Sequence, residues 1–483
     1  MAEKSLAQKS ARGGVNALGG QAAKIAISLI SLSILARLIS PEEYGLVAMV
    51  MAVTAIVDVF RDFGLTPATI QAKTISPQER TNLWWLNTGL GTAVALVVAL
   101  LAPLVVLIYD DERLFSITLV SSVGFIVSGM TTQYFAQLQR EMKFGAIAVN
   151  NIISSLIGLG SAIVMALQGF GVWALVLQGN VIILVSLLLF VYQTRWLPGR
   201  YRRSVPMKRF MNFGLPLMFS NLLNYFSALV DVFLIGRIGG TEVLGYFNRA
   251  TQAVRTPLNG LRSPLNNVAF SALSRRGGEA SDIAQLAVKG QILLAYPLVL
   301  LAGGLAAASP ALVVLILGGN WSGAAPYFAW VAIAEGLNCL AMTAGWILMV
   351  RGKTQQILYL TIVSSAHRIL WVLVGALIFG PLGAVMGQAF AVVIQWPLSL
   401  LYVQSVTGVS TRGLLANSYK IFGLVLVVSL LNYSLVQWLS LGLLLDVAAS
   451  VLIQLLLAAA CALLPAVRRD YLQIFSVFRS LKS

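Results

Sequence analysis

Four basic residues, Lys24, Arg61, Arg255 and Arg262, fall inside stretches of the chain long and apolar enough to cross a membrane. A bare charge at mid-bilayer costs at least ~2.5–3.5 kcal/mol on insertion scales, so such residues normally face a wet cavity and mark a path for cargo. Cations gathered in one cavity imply an anionic cargo. Arg255, Asn259, Arg262 and Asn266 follow an i, i+4, i+7, i+11 pattern, a single helical stripe that sets the two guanidiniums ~10 Å apart along the axis. Pro257 and Pro264 interrupt the same stretch. Proline in a span is tolerated where neighbours or cavity water satisfy the freed backbone groups. Forked guanidinium donors meet phosphate oxygens two at a time. The plainer alternative is that Arg255 and Arg262 snorkel to one membrane surface.

Other ionisable groups lie at membrane depth. Asp58, Arg61 and Asp62 are i+3 and i+4 neighbours. They form either an internal ion pair that holds the helix or a switch that frees Arg61 when a stronger anion or a proton arrives. Lys24 has no acid near it in sequence and is the better candidate for direct ligand contact. Asn224 shares a face with Ser220, Ser227 and Asp231. Asp231, Glu335 and the adjacent His367 and Arg368 are candidates for coupling or switching, against the alternative of structural pairs. No enzyme signature survives inspection. Gly352-Lys353-Thr354 resembles the end of a phosphate-binding loop, but Ile347 occupies the position of its required first glycine,. His367 lacks a serine context for nucleophilic catalysis. Asp110-Asp111 reads as a solvated turn. Cys339 and Cys461 are too few for a metal cluster and read as small buried hydrophobes,. No catalytic residue, metal or cofactor is expected.

The elements that position these residues are transmembrane helices. Of 483 residues, 58% are hydrophobic and only 10% charged, against roughly 25% charged in a soluble domain. The apolar residues come in runs near the ~20 needed to span hydrocarbon. Fourteen spans are expected, at 14–38, 44–68, 83–108, 115–138, 145–168, 171–194, 211–236, 244–272, 286–317, 325–350, 355–379, 383–406, 415–440 and 444–466. The first is too long for a signal peptide and lacks a clear cleavage site, so it is expected to be retained. The net charge of +16 is concentrated in the amino terminus and every second gap, from Lys4, Lys9 and Arg12 to Arg468, Arg469, Arg479 and Lys482. The opposite gaps hold Arg113 with Glu42, Glu43, Asp110, Asp111 and Asp446 in them or at their edges. Positive residues remain inside, so both termini are assigned to the cytoplasm. Nucleic acid is excluded as the partner, since the charge tracks a membrane surface.

The chain also repeats. Arg37-Leu38, Glu42 and Gly45 recur as Arg237-Ile238, Glu242 and Gly245 at a constant offset. In the polar stripes upstream, Lys24 and Ser31 fall on Asn224 and Asp231 at that offset, while Gln21 and Ser28 fall one residue from Ser220 and Ser227. Copies six spans apart keep the same sidedness, which predicts parallel repeats related about the membrane normal. The expected organisation is an N-lobe over 1–207, ending in a basic linker at 195–207, and a C-lobe over 208–410. Two further spans follow over 411–466, then an interfacial tail over 467–483, where Tyr471, Leu472, Phe475 and Phe478 alternate with basic residues,. Glycines inside spans, Gly158, Gly160, Gly303 and Gly304, are expected to mark close helix packing.

The opening, with Asn16, Gly19, Gln21 and Lys24, followed by Leu35-Ala36-Arg37-Leu38-Ile39-Ser40-Pro41-Glu42-Glu43-Tyr44-Gly45 and Asp62-Phe63-Gly64-Leu65, resembles the polysaccharide transporter family. These are Wzx-type flippases of the multidrug/oligosaccharidyl-lipid/polysaccharide exporter superfamily, and the pattern is nearest to the colanic-acid exporters. The resemblance covers essentially the whole chain. It implies two six-helix lobes forming a V around a cationic cavity, in a bacterial inner membrane. Such proteins move undecaprenyl-diphosphate-linked oligosaccharides from the cytoplasmic to the periplasmic leaflet by alternating access. Lys24, Arg61, Arg255, Arg262, Asn224 and Asn259 are then expected at the diphosphate. Asp58, Asp62, Asp231, Glu335, His367 and Arg368 become coupling candidates for H+, Na+ or membrane potential. Polysaccharide polymerases and chain-length regulators are the expected protein partners. Two other functions remain open on the sequence. One is an ion-coupled exporter of small amphiphiles on the same scaffold. The other, a membrane-embedded polymerase or ligase, is disfavoured by the short gaps.

Overall fold

A computed structural model describes residues 26–62, 65–66, 69, 74–141, 143–205, 207–275, 280–439 and 442–480. Side chains are described for these except 53, 55–62, 144, 208–209, 212–229, 263–275, 354 and 474–480. The described residues form helices α1 (Ala26–Leu38), α2 (Pro41–Asp62), α3 (Pro77–Tyr109), α4 (Arg113–Arg140), α5 (Phe144–Leu167), α6 (Val172–Thr194) and α7 (Lys208–Arg275). They continue as α8 (Ala280–Ala307), α9 (Ser309–Leu317), α10 (Ala325–Val350), α11 (Thr354–Thr407), α12 (Arg412–Leu439), α13 (Leu443–Ala460) and α14 (Pro465–Ser480). Two of these are pairs of helices joined at a break. α7 breaks at Gly240 and α11 at Phe379 and Gly380. Gly240 has φ 76° with ψ −173°, a region open only to glycine,. Counting both arms of each gives sixteen helical runs; α8 and α9 share one expected span and α14 is the expected tail, so over the described residues the others fall on the expected spans one for one. Among the described residues, nine helices meet the length and apolarity needed to cross a membrane. The chain is a multi-pass, all-α membrane protein.

Local sequence explains the helix ends. Ser40 and Glu43 form a reciprocal cap, with Ser40 N–H donating to Glu43 Oε2 at 3.0 Å and Glu43 N–H donating to Ser40 Oγ at 3.3 Å. Pro41 follows at the first helical position, where its missing N–H costs nothing. Ser76, Pro77 and Glu79 repeat the device at α3. The Pro-Glu element of the family pattern is therefore a helix start. α3 consequently begins at Pro77, six residues before the expected boundary at 83. The expected single span at 286–317 is also interrupted. α8 stops at Ala307 and α9 restarts at Ser309, with Pro310 in its first turn, where it cannot continue an existing hydrogen-bond ladder,.

The chain divides into two compact units, Met1–Gly245 and Tyr246–Ser483. Within the first, the copies of the repeated motif meet reciprocally. A Cβ on Gly45 would overlap the carbonyl of Thr241, and one on Gly245 would overlap the carbonyl of Pro41. Each glycine thus touches the equivalent position of the other copy, the mark of a two-fold contact. The basic linker does not hang free. Asn82, fully buried, donates to Arg202 O at 2.7 Å and accepts from Arg202 N–H at 3.0 Å, while Trp85 Nε1 donates to Gly199 O at 2.8 Å.

In the second unit, α8 and α10 are the interior helices, and α13 is the most peripheral of the candidate spans. The last two spans are fastened by amide networks. Gln291 of α8 donates to Ser418 Oγ at 2.7 Å and accepts from Asn417 Nδ2 at 3.0 Å. Asn432 donates to Gln454 Oε1 at 2.9 Å, and Gln454 donates to Leu300 O at 3.2 Å. Such bonds average about 0.6 kcal/mol each in membranes, so their number carries the attachment. α14 is the expected amphipathic tail. Its Asp470 turns inward to Tyr296 and Lys420, while Arg468, Arg469 and Leu472 stay exposed. Of the span glycines, Gly158, Gly303 and Gly304 pack against Ile182, Ser429 and Gln454. Gly160 is a correction. Nothing lies within 4 Å of the Cβ it lacks, because that face looks outward.

Candidate functional site

The second arm of α7 lays Arg255, Asn259 and Arg262 on one face, as their spacing requires. Opposite them, from the interior helix α10, comes Glu335. Its carboxylate accepts from Arg255 Nε at 2.6 Å and from an Arg262 terminal nitrogen at 3.3 Å. Arg262 also donates to Asn259 Oδ1. Only 7% of the Glu335 side chain is accessible, whereas Arg255 keeps 40% and Arg262 28%. The carboxylate is the buried anchor, and the guanidiniums turn their remaining donors outward. One negative charge against two positive ones leaves the cluster at +1. An isolated buried carboxylate is prohibitively costly, and this one is tolerated because two cations and a hydrogen-bond set surround it. Both arginines are held by Glu335 across two helices.

Chemically, such a cluster has the donors to receive an anion. Two forked donors are fixed by a shared acceptor, and an arriving phosphate group needs only to compete for the outward N–H groups. Cys339, one turn after Glu335, donates to its carbonyl at 3.4 Å.

The remaining sequence-derived candidates distribute as follows. Lys24 lies outside the described residues. Asp58, Arg61 and Asp62 are on the last turns of α2, and Asn224 is on the first arm of α7; their side chains, with that of Asn266, lie outside those described. Asp231 is buried in the first unit, 3% exposed. His367 sits half-buried on the first arm of α11. Its ring meets Trp371 edge-on, centroids 6.3 Å apart, and its Nε2 is buried without a hydrogen-bond partner. Arg368 follows it on the same arm. Sequence reasoning identified Glu335 as an intramembrane acid but not as the partner of Arg255 and Arg262, because no local spacing rule joins positions 73 and 80 residues apart. Arg80, Arg140, Gln133 and Gln137, which no local pattern singles out, line one pocket in the first unit.

A second cavity in the Tyr246–Ser483 unit is almost purely apolar. It encloses about 650 Å³ between α8, α10, the second arm of α11 and α12, with Trp330, Phe390, Phe422 and Tyr433 in its wall.

The fold defines an all-α, multi-pass membrane protein in which two half-buried arginines share one buried carboxylate. The family of polysaccharide biosynthesis proteins matches residues 34–326, more than half of the chain. The protein belongs to that family, the Wzx-type polysaccharide transporters. It is similar to the lipopolysaccharide biosynthesis protein WzxC of Escherichia coli strain K12, 26% identical over 423 residues covering 85% of this chain and 84% of that one. It is also similar to the teichuronic acid biosynthesis protein TuaB of Bacillus subtilis strain 168, 26% identical over 69% of each chain. Among solved structures, the inward closed conformation of the lipid II flippase MurJ superposes with a TM-score of 0.70. It has 12% identity, over 91% of this chain and 97% of that one. That likeness concerns the fold.

Proposed function

We propose that the protein is a flippase that moves undecaprenyl-diphosphate-linked oligosaccharide units across the bacterial inner membrane, for exopolysaccharide, capsule or O-antigen assembly. The observation that carries this is the Arg255–Glu335–Arg262 cluster with Asn259, a net-cationic, outward-facing donor set inside a chain of this family. A diphosphate supplies the bidentate anion that such a set receives. Lys24, Arg61 and Asn224 are the further diphosphate contacts that the sequence names. The apolar cavity of about 650 Å³ suits hydrocarbon such as a polyprenyl tail,. Both termini face the cytoplasm, following the positive-inside distribution. Movement of net positive charge is worth ~2.3 kcal/mol per charge per 100 mV, so membrane potential or a gradient of H+ or Na+ supplies the drive. Polymerase and chain-length regulators are the partners that receive the flipped unit.

A second reading, export of small amphiphiles, draws on the aromatic wall of the same cavity. The two separate cleanly. In the Arg255→Ala/Arg262→Ala variant, surface polysaccharide should collapse while the protein remains at wild-type level in the membrane. Full polymer output from that variant overturns the assignment, and dye efflux in its place establishes the second reading.

A further inference from the structure

The first unit carries a small pocket that the flipping site does not use. It lies where Thr69, Ile75 and the start of α3 meet the end of α4. Its volume is about 240 Å³, and Thr69, Ser76, Arg80, Gln133, Gln137 and Arg140 line it with Glu141 at its rim. This is the face that the distribution of basic gaps assigns to the cytoplasm. The position is built with care. The Arg80 guanidinium lies 3.8 Å from the centroid of the Trp196 ring, which fixes its plane,. Arg140 donates to Thr69 O at 3.2 Å. Glu141 is engaged by Lys143 at 2.7 Å and by Gln137 Nε2 at 2.8 Å and also attracts Arg80, so this one carboxylate serves more than one cation.

Three polar atoms in this pocket have no partner. Gln133 is fully buried, and its Nε2 reaches Thr69 Oγ1 at 3.4 Å, but its Oε1 accepts nothing. Gln137 Oε1 and Arg80 Nε are likewise buried and unpaired. Leaving a buried polar group unsatisfied costs about 1–3 kcal/mol, so three in one small chamber call for an occupant. Two amide carbonyls require hydrogen-bond donors. The buried Arg80 Nε–H requires an acceptor, which an anion supplies. One compact group meets both demands: a saccharide unit that bears hydroxyls together with a phosphate or carboxylate.

We infer that this pocket of the first unit binds a phosphorylated or acidic monosaccharide moiety, with Arg80 and Arg140 on the anionic group and Gln133 and Gln137 accepting from hydroxyls. The site is independent of the arginine cluster in the second unit. The moiety can come from a soluble sugar phosphate or from the sugar-phosphate end of a lipid-linked unit, and the two sources share this chemistry.

The test uses the full-length protein in nanodiscs, its thermal unfolding followed against glucose 1-phosphate, glucose and inorganic phosphate. Glucose 1-phosphate should stabilise saturably and more strongly than either component alone. Gln133→Leu, which replaces an unsatisfied amide by hydrocarbon of similar size, should leave the unliganded protein at least as stable. It should also weaken the glucose 1-phosphate response at least tenfold. Arg80→Gln should do the same to the response. Arg255→Gln should leave it intact, which separates failure of this site from failure of the flippase assignment. Competition by a polyprenyl-diphosphate-linked sugar identifies the lipid-linked source, and its absence identifies the soluble one. No saturable response to glucose 1-phosphate in the wild type, or an undiminished response in Gln133→Leu, overturns the proposal.

Discussion

Replacing Glu335 by Gln removes the charge that holds both arginines, and one of its two acceptor oxygens, without changing shape. By Coulomb's law, charges 2.6 Å and 3.3 Å apart attract by about 6 and 5 kcal/mol at an effective dielectric of 20, and by about 1.6 and 1.3 kcal/mol in water. The 40% and 28% accessibility of the arginine side chains places both pairs between those limits, and desolvation of Glu335 offsets much of the remainder. Glu335→Gln should therefore destabilise by about 2–3 kcal/mol, below the 3–5 kcal/mol typical of breaking a fully buried pair. Double-mutant cycles with Arg255→Gln and Arg262→Gln, read by reversible unfolding in mixed micelles, should give coupling energies of about 1–3 kcal/mol each. The triple variant should regain much of the lost stability, because no charge is left unpaired, while polysaccharide output stays abolished. Cycle energies below about 0.5 kcal/mol would mean that the carboxylate does not organise the arginines, and the anion-receiver argument would fall with it.

Gly45→Ala and Gly245→Ala each force a methyl group into the backbone of the other motif copy, and each should cost about 1–3 kcal/mol of stability. Equal losses in thermal melts support the two-fold contact, and wild-type behaviour of either counts against it. Gly240→Ala should cost about 1–3 kcal/mol by straining the helix break,, measured the same way. The Asp111 carboxyl is held below its ordinary value by hydrogen bonds from Arg113, against partial desolvation. A depressed carboxylate stabilises above its unfolded value and loses that contribution as pH falls through the folded one. Because this cluster is largely exposed, the effect should stay below about 1 kcal/mol. The stability gap between wild type and Asp111→Asn, flat near neutrality, should close below about pH 4. Asp470→Asn should release α14 from Tyr296 and Lys420, visible as faster proteolysis of the carboxyl-terminal tail with the rest of the chain intact.

The sequence by itself determined whatever depends on local period and composition. Twenty-residue apolar runs specify spans because lipid leaves the backbone no other partner. The Ser40-Pro41-Glu42-Glu43 element specifies a helix start because its groups satisfy each other within one turn. The i, i+4, i+7 spacing of Arg255, Asn259 and Arg262 specified their common face, and the family pattern specified the class of cargo. Only the tertiary structure decided what those residues meet. Glu335 became the anchor of both arginines, Gly45 met Thr241 rather than a neighbour in sequence, and Arg80, Arg140, Gln133 and Gln137 closed around one chamber. These pairings join residues far apart in the chain, and side-chain periodicity carries no information beyond the helix on which it is written.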